Sequence, residues 1–589
     1  MISNKKKFNL NLDLDLTIKL KTFFEYIWNE ILKLDEYKNL NLSIDEIENK
    51  FTVEEPPKNI EADFASNICF IGAKLLKTSP IKIAEKIINF INNTSEIKNM
   101  AETEFGIKNI FIAGNGFLNF TFKELVFVEI LLEFVKNKEL YFFTDKPTKK
   151  VLLEFVSANP TGPLHIGHAR GAVIGDSLAR LLKKKGYSVF KEYYVNNAGN
   201  QIEVLAKSLE IRYRQIAGEN ISFPENHYQG DYILEIAKKL YKKENQKKYF
   251  DDINFKKIVL YEILQIIEND LKKFNIEFDN WFLETNLLEK NDIDKSALDD
   301  ILDILNEKGF IKEIDGALWL NTVDMNYDDK DRVLIRNDGR PTYFANDIAY
   351  HKNKFDRNYD CLIDIWGADH HGYVPRLKAS MNYLGFKKED LYIILYQLVS
   401  LVRNGEKIAM STRTGEFISL TEVIDEVGVD ATRFFLLMRD GNSPLDFDLE
   451  LAKKQSNENP VYYIQYAHAR IKSIINNAKQ NNISIDNKDI NFYTNFKKCL
   501  GTKEDISIIK TILNYRIILE HCIKDLSTHH IAIYLLDLAG KFHNYYNKYK
   551  IIDKQNIDLS KMRLLLCNEV AFIIKNGLEI LGVSAPDSM

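Results

Sequence analysis

The stretch that most constrains this chain is residues 151–195. Val151-Leu-Leu-Glu-Phe-Val156 is a short apolar run bounded by polar residues, which predicts a strand buried on both faces. The loop Ser157-Ala-Asn-Pro-Thr-Gly-Pro-Leu164 leads into a predicted helix over 167–185, with Ala172, Val173, Leu178, Ala179, Leu181 and Leu182 on its apolar side. Gly186 stands where a C-terminal cap belongs, and 187–195 reads as a second strand. Strand, helix, strand with a short glycine-bearing first turn is a βαβ unit, which requires a parallel sheet and hence an α/β core.

To either side the pattern changes. At ~150 residues per domain, 589 residues allow roughly four domains. Before about residue 123, helical spacing over 23–34, 62–76 and 81–91 is punctuated by Pro56-Pro57 and Pro80, and 116–122 alternates as a strand. That is a small α+β module, ended by a polar, proline-containing stretch at 144–150. Charged helical sequence interrupts the core pattern over 201–321, and sheet-like segments resume at 333–335, 361–366 and 392–402. From about 430 onward the apolar period is helical, as in 459–478 and 530–549, so an all-helical C-terminal domain is expected. The expected boundaries are 1–125, 145–450 with an insertion of about 201–330, and 451–589.

Composition excludes several classes. Hydrophobic residues at 45% and aromatics at 12% supply cores that a disordered chain lacks. No run of ~18 apolar residues is present, so no membrane span is expected. The first residues carry Lys5, Lys6 and Lys7 but no apolar h-region, so no secretory leader is expected, and the chain reads as a soluble cytoplasmic protein. A net charge of −5 does not advertise nucleic-acid binding, although local basic patches are enough to hold a large RNA. The five cysteines form neither a C-x-x-C pair nor a zinc spacing, so buried thiols and no structural zinc are expected.

Two segments carry chemistry. Pro163-Leu164-His165-Ile166-Gly167-His168 sits at the strand-to-helix junction, where the helix dipole and free N–H groups favour anions. Taken alone, the tetrad is either a helix cap with surface histidines or a nucleotide site. Far downstream, Glu406-Lys407-Ile-Ala409-Met410-Ser411-Thr412-Arg413-Thr-Gly415 follows a strand. Lys407 and Arg413 there can meet the charge that grows as pyrophosphate leaves a triphosphate. A loop with two cations is otherwise most often a solvated surface.

His165-Ile-Gly-His168 and Met410-Ser-Thr-Arg413, in this order around a βαβ unit, resemble the HIGH and KMSKS signatures of class I aminoacyl-tRNA synthetases. The longer string from Glu154 to Arg170, Tyr193-Tyr-Val-Asn-Asn-Ala-Gly-Asn200 and Gly428-Val-Asp-Ala-Thr-Arg-Phe-Phe435 are similar to the arginyl-tRNA synthetase family. So are Glu61-Ala-Asp-Phe-Ala-Ser-Asn67 and Asn115-Gly-Phe-Leu-Asn-Phe120, which resemble that family's tRNA-elbow-binding addition. The resemblance implies a Rossmann-type parallel-sheet core, an N-terminal tRNA-binding module and a helical anticodon-binding bundle. It implies activation of L-arginine with ATP, accompanied by Mg2+, and transfer to tRNA-Arg by a monomer. Pro163, Leu164, His165, Ile166, Gly167 and His168, with Met410, Ser411, Thr412 and Arg413, match the ATP-binding motifs, and His165, His168, Lys407 and Arg413 the catalytic ones. Ser157, Asn159 and His168 match contacts to the backbone of arginine, Tyr343 and Asp347 the contacts to its side chain, and Asp369 a further substrate contact. A carboxylate accepting two guanidinium N–H bonds makes a planar contact that lysine does not copy.

One departure stands out. The family commonly has Lys before Met-Ser, and this chain has Ala409, leaving Lys407 two residues earlier or Arg413 to supply the cation. His370 and His371 read as structural or ATP-pocket residues, since neighbours on a strand end point to opposite faces and do not suit one metal ion. The rivals are another class I synthetase and a catalytically silent tRNA-binding paralogue. Cysteinyl enzymes need thiolate zinc ligands and valyl enzymes a large editing insertion, and only Ala409 favours the silent paralogue.

Overall fold

The computed structural model describes residues 16–34, 37, 47, 50–57, 59–136, 138, 149–244, 253–292, 294–323, 330–408, 418–485, 496, 499 and 502–589. The chain divides into two units, Met1–Tyr141 with Ile483–Asn514 and Ile552–Leu566, and Phe142–Asn482 with Tyr515–Ile551 and Cys567–Met589. Among the described residues no helix is long and apolar enough to cross a membrane.

The first unit is α+β. Strands β1 (Val53–Glu54), β2 (Phe64–Ser66), β3 (Ile107–Ala113) and β4 (Phe117–Phe122) form an antiparallel sheet in the order β1-β2-β4-β3. Phe24, from the helix Leu16–Leu32, meets Phe51 and Phe120 edge-on with centroids 6.1 and 5.0 Å away. The helix expected over 62–76 divides in two. Asp63 exchanges hydrogen bonds with β4, its N–H donating to Phe120 O at 2.7 Å and its carboxylate accepting from Phe122 N–H at 2.8 Å. Residues 64–66 therefore join the sheet, and the helix runs over Ile68–Leu75 only.

The second unit supplies β5 (Lys150–Glu154), β6 (Ser188–Val195), β7 (Asn280–Leu283), β8 (Ile311–Ile314), β9 (Ala317–Leu320), β10 (Arg332–Ile335), β11 (Cys361–Gly367), β12 (Leu391–Tyr396), β13 (Val399–Arg403), β14 (Glu406–Lys407) and β15 (Leu445–Asp448). Five of these make a wholly parallel sheet in the order β12-β11-β5-β6-β7. The α/β core is thus present, with two differences of detail. Residues 332–335 belong to a separate antiparallel sheet, β10-β9-β8, and the run 392–402 breaks at Gln397 into β12 of the parallel sheet and β13 of a third sheet, β14-β13-β15. A short apolar run predicts a strand but says nothing about which sheet takes it.

The helix Ile166–Lys184 crosses from β5 to β6, and Gly186 follows it with φ +97°. It closes tightly on the strand it leaves, because a Cβ at Gly175 would lie 2.3 Å from the Phe155 ring. One core layer joins Leu152, Leu362 and Leu391 of the sheet to Phe344, Ile348 and Tyr350 of the helix Tyr343–Asp356, and to Leu377 and Met381 of the helix Val374–Leu384. Helices Pro460–Gln480 and His529–Lys548, near the positions expected from periodicity, belong to the same unit.

Candidate active site

The strand order of the parallel sheet reverses at β5, which has β6 on one side and β11 on the other. Ligands of open α/β sheets bind outside the carboxyl ends of the strands at such a switch point. A cleft of about 760 Å³ opens there, lined by Glu154, Ser157, Asn159, His165, Gly167, His168, Tyr194, Gln201, Glu284, Tyr343, Asp347, Asp369 and Tyr373 among others.

The floor of the cleft begins with a strained turn. Val156 and Ser157 take φ of +68° and +41°, both left-handed, and Val is β-branched. Each such residue costs about 1–3 kcal/mol and persists only where its surroundings over-determine it. Here the Ser157 hydroxyl donates to Glu154 Oε1 at 2.8 Å and accepts from Tyr194 N–H at 3.1 Å, while the Tyr193 hydroxyl donates to Ala158 O at 2.9 Å. Asn159 Nδ2 donates to Gln201 Oε1 at 3.1 Å.

His165 caps the helix that follows. Its Nδ1 accepts from Gly167 N–H at 3.1 Å, its own N–H donates to His168 Nδ1 at 3.4 Å, and the two rings stack at 3.8 Å. A neutral imidazole that accepts at Nδ1 carries its proton on Nε2, so backbone geometry makes both rings Nε2–H donors. Burial lowers both pKa values, and His168, with His165 beside it, is pushed down to about 3. These are neutral donors at a helix N-terminus. Leu164 and Ile166 are buried; the Leu164 N–H donates to Asp270 and its carbonyl accepts from Leu420 N–H, while His165 forms a β-bridge with Ser419. With Pro163 they shape the turn and do not line the cleft.

Two carboxylates also line the cleft, Asp347 and Glu284. Thr342 caps the helix Tyr343–Asp356, and the i, i+4 pair Tyr343 and Asp347 both line the cleft. Asp347 Oδ2 accepts from the Tyr373 hydroxyl at 2.5 Å, and Glu284 Oε1 accepts from Asn346 Nδ2 at 2.5 Å. Both donors are neutral. Burial pushes both acids above the usual carboxylate range, and the charge of Asp347 raises Glu284 further. Glu284 and Tyr373 were not foreseen from the sequence. Glu284 ends the short run Asn280-Trp-Phe-Leu283 inside a segment read as helical, and a strand-end acid was its only signal. Asp369 is exposed at the rim, with His370 Nε2 3.6 Å from its Oδ2. Both histidines lie in the 3-10 turn Ala368–Tyr373 rather than on a strand end, and only His370 lines the cleft.

Glu154 and His351, which line the cleft, and the buried Asp364 come close enough to share an ion. The Lys354 ammonium already serves both carboxylates, bonding Glu154 and, at 2.7 Å, Asp364. Burial works against the Asp364 carboxylate, but Lys354 and His351 outweigh it and bring it down to about 2. The residues present therefore suit a buried ion pair rather than a metal.

Lys407, on β14, does not line the cleft. It is exposed and its Nζ pairs with Asp446 Oδ1 at 2.8 Å. Met410, Ser411, Thr412 and Arg413, together with Ala409, lie outside the described residues.

A parallel sheet reversed at β5, a histidine-capped helix after that strand and a helical C-terminal region make this a class I aminoacyl-tRNA synthetase. The family model described as "tRNA synthetases class I (R), catalytic domain" matches residues 130–454, "Arginyl tRNA synthetase N terminal domain" matches 27–122 and "DALR anticodon binding domain" matches 464–589. The chain belongs to the arginyl-tRNA synthetase family. The arginine–tRNA ligase of Citrifermentans bemidjiense is 46% identical over 543 residues, covering 91% of this chain and 94% of its own. That of Geobacter sp. (strain M21) is 46% identical over 550 residues, with the same coverage of 91% and 94%. A solved arginyl-tRNA synthetase from Thermus thermophilus, 18% identical, shares the fold with a TM-score of 0.71 over 98% of this chain and 100% of that one.

Proposed function

We propose that the cleft at the switch point is where this arginine–tRNA ligase joins arginine to ATP. The guanidinium lies between Asp347 and Glu284 with Tyr343 at the mouth. The α-amino and carboxylate groups face Ser157, Asn159 and His168, with Asp369 at the rim, and the ATP phosphates lie at His165, Gly167 and His168. The observation that carries this reading is the pair of half-buried and buried acids whose hydrogen bonds come from neutral donors, a site prepared for one planar cation.

The arginine carboxylate oxygen attacks the α-phosphorus, and the bond to pyrophosphate breaks with its electron pair leaving on pyrophosphate. A ribose hydroxyl of the terminal adenosine of tRNA-Arg then attacks the arginyl carbonyl carbon and AMP leaves. No side chain need be a nucleophile, so catalysis is positioning plus charge stabilisation. Lys407 and Arg413 supply positive charge to the departing pyrophosphate. An exposed pair such as Lys407–Asp446 is worth only about 0–1 kcal/mol, so Lys407 exchanges it at little cost. Mg2+ enters with ATP as part of the substrate. The segments 1–125, 145–450 and 451–589 act as tRNA-elbow module, catalytic domain and anticodon-binding domain of a cytoplasmic monomer.

ATP–pyrophosphate exchange with and without tRNA tests the reading, with citrulline as the uncharged counterpart of arginine. Exchange is expected with arginine and not with citrulline. Equal exchange with both would remove the guanidinium from the argument.

A further inference from the structure

One continuous chain of buried polar groups joins two parts of the cleft lining, the Ser157 turn and the helix turn that carries Asp347. The Ser157 hydroxyl donates to Glu154 Oε1 at 2.8 Å, and Lys354 Nζ bonds Glu154 Oε2 and, at 2.7 Å, Asp364 Oδ1. Asp364 Oδ2 meets His351 Nε2 at 2.7 Å, and His351 Nδ1 meets the carbonyl of Asp347 at 2.7 Å. Lys354 and Asp364 are fully buried, and Glu154 and His351 nearly so.

Glu154 and Asp364 stand directly opposite each other in the register of β5 and β11, where two like charges repel. The compensating ammonium comes from a different element, the helix that carries Asp347. Both partners of His351 are acceptors, so the ring bridges the Asp364 carboxylate and the Asp347 carbonyl. Well-packed apolar residues are often at least as stable as such a buried ionic group, so stability alone gives no reason to keep it. Its two ends are the Ser157 turn, read above as facing the backbone of arginine, and the turn of helix carrying Asp347, read as facing the guanidinium.

We propose that Lys354 is a positioning residue whose ammonium fixes the separation between the Ser157 turn and Asp347, and so sets the length of amino acid the cleft accepts. The proposal rests on the placement of arginine given above. Lys354 touches no substrate and acts through Glu154 and Asp364.

Lys354→Met and the charge-compensated Lys354→Met/Glu154→Gln, which keeps an acceptor for Ser157, are the test, with Asp347→Asn alongside. The readouts are KM for arginine, homoarginine (one methylene longer) and ATP in pyrophosphate exchange, and the thermal midpoint. Both Lys354 variants are expected to raise the arginine KM by about tenfold or more, leave the ATP KM within about twofold and narrow the preference for arginine over homoarginine. The compensated variant is expected to do so with a thermal midpoint close to that of the wild type, and it decides the matter alone if Lys354→Met does not fold. A compensated variant with wild-type arginine KM and wild-type discrimination would reduce Lys354 to a counterion and overturn the proposal. So would an equal rise in the KM of arginine and ATP. If Asp347→Asn leaves the arginine KM unchanged, the placement of arginine itself fails; if it raises that KM while the compensated variant matches wild type, only the positioning role fails.

Discussion

Asp347 and Glu284 are both pushed above the ordinary carboxylate range, with burial the largest cause in each. A guanidinium arriving between them favours their charged forms and lowers those values again. Arginine binding should therefore release protons, which calorimetry in buffers of different ionisation enthalpy measures directly. The sign follows from the raised values: affinity is full above them and is lost as pH falls through them. Weakening should begin above the ordinary carboxylate pKa of about 4, and an affinity that stays flat down to that point would contradict the assignment. Asp347→Asn removes one charge from a largely buried pairing, a loss of about 3–5 kcal/mol. The expected outcome is a fall of roughly two to four orders of magnitude in kcat/KM for arginine with ATP binding unmoved. Asp347 was legible because it lies in the motif Arg340-Pro-Thr-Tyr-Phe-Ala-Asn-Asp347. Glu284 was not, because its meaning appears only when β7 and the helix Tyr343–Asp356 lie side by side, and no local pattern encodes that neighbour.

At the scale of one element, the helix Ile166–Lys184 presents two neutral imidazoles rather than two cations. His168→Ala should slow adenylate formation in single-turnover measurements, and the wild-type profile between pH 5 and 8 should show no inflection owed to His168. Stability carries the complementary signature. The unfolded chain takes up a proton at His168 near the ordinary ~6.5, whereas the folded chain resists until about 3, so this contribution is lost as pH falls between those values. His168→Asn should flatten that acid slope in a denaturant series, and an unchanged slope would place the proton uptake elsewhere. The helix itself was legible from its 3.6-residue period. The break between β12 and β13 was not: the Gln397 carbonyl is taken by Arg170 and its N–H donates to Gly441 O, partners remote in sequence.

Across the second unit as a whole, Arg433 is the fully buried junction. Its guanidinium donates to Leu581 O and Phe274 O, each at 2.9 Å, and to Asp176 Oδ2 at 2.7 Å. Burial works against the Asp176 carboxylate, but Arg433, Arg180 and Lys191 together hold it below its usual range. Arg433→Met leaves Asp176 to Arg180 and Lys191 but takes the donor from two buried carbonyls, so a loss of about 1–3 kcal/mol for each is expected in a denaturant titration. KM for arginine should be little changed, since Arg433 does not line the cleft; a wild-type unfolding midpoint would show the junction to be redundant. The order of architectural types along the chain, α+β then α/β then helical, was readable from periodicity alone. Arg433 was readable only as part of Gly428-Val-Asp-Ala-Thr-Arg-Phe-Phe435, because its partners come from three distant segments.

The reversal of strand order at β5 also bears on how the protein is made. The N–H of Lys150, at the start of β5, donates to the carboxylate of Asp360, 210 residues later, just before β11. At ~5–20 residues per second, a ribosome needs roughly 10–40 s to add that length. Throughout the interval β5 and β6 can pair, but the other edge of Val151-Leu-Leu153 has no strand beside it, and an open apolar edge invites pairing with other chains. Glu154 waits over the same period for Lys354 and Asp364. The cleft is thus completed only once β11 is made, and until then the open edge of β5 has to be kept from other chains.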